Sequence, residues 1–128
     1  MSKPGWVALI GVVLFAIGKG AAMALAVKPG VELSTTWQVE VMRNAVNRVW
    51  SAHGFQATIT SSMDGVHMEG SKHYDGFAED YRTKDLPDAL KYSMFNEVRN
   101  VLGVDYQVIF EYENEPNEHL HIEYDPKF

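Results

Sequence analysis

The chain has 128 residues and a mass of 14.4 kDa, enough for one small domain and little more. Seventeen acidic residues against eleven basic ones leave a net charge of −6 and a pI near 5.3, which argues against a counterion-releasing basic surface and so against nucleic acid as a partner. Cysteine is absent, so disulfides, thiolate metal ligands and cysteine nucleophiles are excluded together, and any metal must be held by histidine and carboxylate.

The amino end is set apart by its composition. Lys3 precedes an uncharged apolar run from Trp6 to Gly18, followed by Lys19, Gly20 and a small-residue stretch ending Ala24-Leu25-Ala26. A basic start, an apolar run of about 7–15 residues and a small-residue site are the parts of a secretory signal peptide. The alternative is a retained anchor, because Val7 to Val27 approaches the roughly 20 residues needed to cross a bilayer if Lys19 snorkels. A buried core helix fits poorly, since Gly5, Gly11, Gly18 and Gly20 interrupt a stretch with no polar face. Residues 1–26 are thus expected to be a signal peptide or membrane anchor, and 27–128 the working domain, exported or held at the cell envelope. Removing Lys3 and Lys19 leaves nine of the eleven basic residues against seventeen acidic ones, a net charge of −8.

In the working domain, Ser34-Thr35-Thr36 offers caps for a helix beginning near Trp37. Val39, Met42, Ala45, Val46, Val49 and Trp50 recur at helical spacing, which predicts an amphipathic helix to about Ala52, closed by His53-Gly54. At the same spacing Trp37 and Trp50 are expected in the core, and His53 beside a helix dipole. Phe55 to Thr60 alternates and is rich in β-branched residues, as a strand is. Ser61 to Tyr74 reads as a loop, and Gly76 to Arg82 as a second strand. A second helix opens at Asp85-Leu86-Pro87 and ends before Gly103. Tyr106 to Tyr112 and His119 to Tyr124 read as two last strands around the acidic connector Glu113 to Asn117. This order predicts an α+β fold with a small, mostly antiparallel sheet and helices on one side.

The chemistry concentrates in two segments. In the first, His73 lies on the loop and Asp80 in the strand after it. Alternation puts Ala78, Asp80 and Arg82 on one face, and Gly76 permits a sharp entry that folds His73 back over it. In the second, Leu120 and Ile122 face a core while His119, His121 and Glu123 face away. His73, Asp80 and one histidine of the second segment make a three-ligand site, with an open fourth position suited to catalytic zinc. Glu118 serves as proton acceptor only if a bend after Pro116-Asn117 swings it onto the ligand face, because strict alternation puts it on the other. Glu123 and Asp125 are expected to be solvated or to orient a ligand imidazole.

Ser71-x-His73-x-x-Gly76-x-Ala78-x-Asp80, followed about forty residues later by Glu118-x-x-His121, resembles the zinc D-Ala-D-Ala carboxypeptidase and VanX-like peptidase family. That family includes small phage and bacterial peptidoglycan peptidases and shares its fold with the hedgehog signalling domain. The resemblance implies Zn2+ held by His73, Asp80 and His121, with Glu118 as general base and Ser71 contacting substrate. The partner it implies is a peptidoglycan stem peptide, with membrane contact only through residues 1–26. The pattern departs upstream of Ser71, where His67, and after it Lys72, stand in place of an obvious arginine. His67 is therefore a candidate substrate contact, and the choice between endopeptidase and carboxypeptidase stays open. Two alternatives accompany this reading. His119 and His121 as a His-x-His pair would make Glu118 a bystander, and the runner-up function is a non-catalytic, zinc-stabilised binding module of the same fold, against which the presence of Glu118 speaks.

Overall fold

The computed structural model describes residues 23–127 in full. The apolar stretch before them, which carries the expectation of a signal peptide or anchor, lies outside the fully described residues. Among the described residues no helix is long and apolar enough to cross a membrane.

The fold is α+β. Among the fully described residues seven elements follow in order: β1 (Ala26–Val27), α1 (Trp37–Ala52), β2 (Thr58–Ser61), β3 (Ala78–Arg82), α2 (Asp88–Leu102), β4 (Tyr106–Glu111) and β5 (His119–Tyr124). These five strands form one sheet of order β1-β2-β3-β5-β4, antiparallel except where β1 runs parallel to β2. Strand β1 is too short to show any periodicity. It is fixed by two backbone bonds of 2.9 Å, from Ala26 N to Ala57 O and from Lys28 N to Ile59 O. Residues on both sides of the anticipated boundary at Ala26 therefore join the sheet.

Helix α1 begins where the Thr36 hydroxyl accepts the Val39 N–H at 3.2 Å, which satisfies one of the otherwise unpaired first-turn donors. It ends at His53, followed by Gly54 at φ +85°. His53 also meets Glu97 of α2 at 2.9 Å, so it joins the two helices as well as sitting at a helix end. Helix α2 has no side-chain cap. Pro87 is its cap residue, with Asp88 in the first turn and Arg99 in the last, matching the helix dipole.

Both helices pack on one face of the sheet. Met42, Val46, Trp50, Met94, Phe95 and Val98 are buried against Ile59, Tyr81, Val108, Leu120 and Ile122. Trp50 is wholly buried, but Trp37, predicted to be core, is 62% exposed and meets Tyr124 edge-on at 5.7 Å between ring centres. It opens the helix, before the apolar stripe turns inward. The opposite sheet face has no helix, and the polar alternate residues of β3, β4 and β5 lie there.

Candidate metal centre

The ladder between β3 and β5 builds the centre. Asp80 pairs with His121 and Arg82 with His119, so alternation brings all four side chains to the helix-free face. His73 arrives from the loop before β3. Its turn is closed by the Gly76 N–H donating to His73 O at 3.1 Å and the Phe77 N–H donating to Lys72 O at 2.9 Å. Gly76 has φ +77°, and a Cβ there would stand 2.9 Å from Ser34 Oγ. The carbonyl of the same glycine accepts 2.7 Å bonds from the Ser34 and Thr36 hydroxyls. The residue that caps α1 thus also pins the loop that delivers His73.

His73, Asp80 and His121 form a buried group whose ligand atoms lie within 4.8 Å of one another, close enough to hold one metal ion. The tautomers suit such a role. His73 Nδ1–H donates to the Ser62 carbonyl at 2.6 Å, which turns Nε2 toward Asp80 Oδ1 at 3.3 Å. His121 turns Nε2 to Glu123 Oε1 at 2.8 Å and Nδ1 to Asp80 Oδ1 at 2.9 Å. Each imidazole therefore has one nitrogen anchored to an acceptor and the other aimed at the shared point, the arrangement that orients ligand histidines. Two nitrogens and a carboxylate oxygen are a donor set that fits a divalent transition metal.

Electrostatics reinforce the geometry. Burial disfavours the Asp80 carboxylate, but hydrogen bonds from His121 and His73 outweigh this and hold its pKa well below the usual carboxylate range. Burial likewise opposes the His121 cation, yet its bonds to Asp80 and Glu123 push its pKa up to about 9. Without metal, the centre is a carboxylate clasped by a charged imidazole. A metal must displace that proton.

The centre opens into a cleft of about 560 Å3. Loop 66–73 forms one wall, and Glu111, Tyr112, His119 and Glu123 form the other. His67 stacks on His73 with ring centres 4.0 Å apart and planes at 4°. Ser71 Oγ accepts the His73 N–H at 3.2 Å, so both candidate substrate residues lie in the cleft wall while also holding the ligand.

Glu118 is not brought together with the three candidate ligands. The chain does not bend far enough to turn it over, and strict alternation prevails. Its buried carboxylate accepts from Thr83 Oγ1 at 2.5 Å, Lys91 Nζ at 2.9 Å and the Asn114 N–H at 2.9 Å. Burial raises its pKa, but these bonds outweigh burial and lower it, leaving a weak base with its lone pairs occupied. The expected general base is thus tied to α2. Besides Asp80, the carboxylates that line the cleft are Glu69 on the loop and Glu111 and Glu123 on the strands. Glu123 holds His121, and Glu111 meets His119 Nε2 at 2.8 Å, with that nitrogen 3.7 Å from Asp80 Oδ1. Glu111 stands opposite His119 in the β4–β5 ladder, a pairing that nothing in its local sequence signals.

No protein-family model matches the sequence, and no curated protein matches it.

Proposed function

We propose that the protein is a zinc-dependent peptidase hydrolysing an amide bond in peptidoglycan stem peptides. The observation that carries this reading is the convergence of His73 Nε2, Asp80 and His121 Nδ1, each histidine backed by its own acceptor, at the foot of a cleft roomy enough for a peptide. The motif spacing supports the choice of zinc and of substrate. Bound zinc supplies a Lewis acid that polarises a carbonyl and acidifies water.

The chain's own residues do the rest. Ser62 O and Glu123 fix the ligand imidazoles, and the stacked His67 keeps His73 from rotating. The proton of the attacking water passes to the paired His119 and Glu111, whose imidazole lies 3.7 Å from Asp80, and from them to the leaving amine. Glu118 acts from outside the cleft by holding the turn before β5 to α2.

The test is hydrolysis of purified peptidoglycan by the full-length chain, with released termini read by mass spectrometry. Zinc-dependent release is expected, abolished by chelator and lowered at least about a hundredfold by Glu111→Gln, the span of a lost acid–base catalyst. No release with zinc present sinks the peptidase reading and leaves the binding module of the same fold. A variant Glu111→Gln at full speed alongside an inert Glu118→Gln returns the base to Glu118.

A further inference from the structure

The three-ligand centre leaves His119 out, although its imidazole is oriented as those of the ligand histidines are. Its Nδ1–H donates to the Asn117 carbonyl at 2.7 Å, and its Nε2 turns to carboxylate oxygen, 2.8 Å from Glu111 Oε1 and 3.7 Å from Asp80 Oδ1. Both nitrogens thus face acceptors. A neutral imidazole has one proton to give, so Nε2 and Glu111 stand this close only with a second proton or another cation between them.

The sheet sets the group from three strands. His119 on β5 stands opposite Glu111 of β4 on one side and is the diagonal neighbour of Asp80 of β3 on the other. A carboxylate has two oxygens, and among the described residues all three imidazoles meet the same one, Asp80 Oδ1. Asp80 can therefore bridge two ions. Charge points the same way. Glu69, Asp80, Glu111 and Glu123 line the cleft against the ammonium of Lys72, a net charge of −3 with the imidazoles neutral. One divalent ion at His73, Asp80 and His121 leaves −1, which still attracts a cation. Arg82 stands directly opposite His119 and opposes that attraction, so the second ion is the weaker one.

We propose a second metal site: His119 and Glu111 hold a further divalent cation of the zinc class, with Asp80 bridging it to the first. The inference rests on the peptidase reading and adds its regulation. The second ion takes the lone pairs that the proton relay needs, so zinc in excess slows turnover.

The experiment is a zinc titration of the full-length, metal-free chain by calorimetry, with a chromogenic chelator to bring the tighter step into range. Two equivalents are expected, the second at least about tenfold weaker than the first. Glu111→Gln and His119→Ala should each weaken the second step at least about tenfold while the first stays within about threefold. His53→Ala, which removes the exposed His53–Glu97 pair, should keep both steps. Saturation at one equivalent, a second step unmoved by Glu111→Gln and His119→Ala, or one lost in His53→Ala overturns the site. Cobalt gives a readout without any substitution, because two ions bridged by Asp80 couple magnetically; the EPR spectrum of two isolated ions at two equivalents also overturns it. In a chain that hydrolyses peptidoglycan, a rate unslowed by the second equivalent overturns the regulation. Failure to hydrolyse removes the peptidase reading and its regulation together, and the site is then judged by stoichiometry.

Discussion

Two neighbouring residues of β3 carry buried carboxylates to opposite faces of the sheet, and their partners differ in kind. Glu79 points to the helices, where it accepts from Arg43 Nε at 2.8 Å and closely from Arg43 Nη2, from Ser62 Oγ at 2.7 Å and from Tyr81 OH at 2.9 Å. Asp80 points to the open face, where imidazoles surround it. A guanidinium keeps its proton at any ordinary pH and offers no lone pair to a metal, so Glu79 and Arg43 are permanently matched and structural. An imidazole can lose a proton and become a ligand. The cluster on the open face is therefore exchangeable, while the one beneath it is not. Ser62 serves both, its hydroxyl to Glu79 and its carbonyl to His73.

The largest effects should come from exchanging the two carboxylates for amides. Asp80→Asn should reduce metal affinity by well over the roughly 10–100-fold typical of a group behind the ligands, measured by competition with a chromogenic chelator. Glu79→Gln should leave Arg43 charged, buried and poorly paired, at a cost of about 3–5 kcal/mol in unfolding free energy. Its metal affinity should be unchanged wherever it remains folded. Equal losses of metal binding in the two variants would erase the distinction between the faces.

A smaller effect sharpens the role of the anchoring acceptors. Glu123→Gln keeps the size of the side chain but weakens the grip on His121 Nε2, and should lower metal affinity about 10–100-fold without changing the fold. An unaltered affinity would show that the ladder alone orients His121.

The smallest is a pH dependence of the metal-free protein. His121 has its folded pKa raised to about 9 from 6.5, so its contribution is complete below about 6.5 and disappears as pH rises through 9. Asp80 has its folded pKa lowered, so its contribution is present above about 3.9 and lost as pH falls through the folded value. Urea midpoints in chelator should therefore be highest between about 4 and 6.5 and decline toward 9. With zinc added the upper arm should reverse, because metal competes with the His121 proton. A midpoint constant from 6.5 to 9 in chelator would refute the protonated clasp.

Much of this architecture was open to reading residue by residue. The α1 bounds at Trp37 and Ala52 follow from a hydroxyl before the apolar stripe and a glycine after it. His119 to Tyr124 is a strand with the bounds its alternation implies, and the same alternation put His119, His121 and Glu123 on one face. Gly76 was legible as the hinge for His73, though not that Ser34 and Thr36 hold its carbonyl. The partner of Glu118 was not legible, since Lys91 lies 27 residues away on another element. Nor was Glu111, whose meaning comes only from standing opposite His119.

Sequence alone determined which side of each strand a side chain takes, because the two-residue period is a property of the backbone itself. It also determined that any metal here must use imidazole and carboxylate, because no thiol exists. Tertiary structure decided which charges meet. Strand order and helix docking join residues distant in the chain, and Coulomb and hydrogen-bond energies depend on separations that no local pattern encodes. Those separations put Asp80 in a group that could hold a metal, and make Glu79 a structural anion and Glu118 a brace.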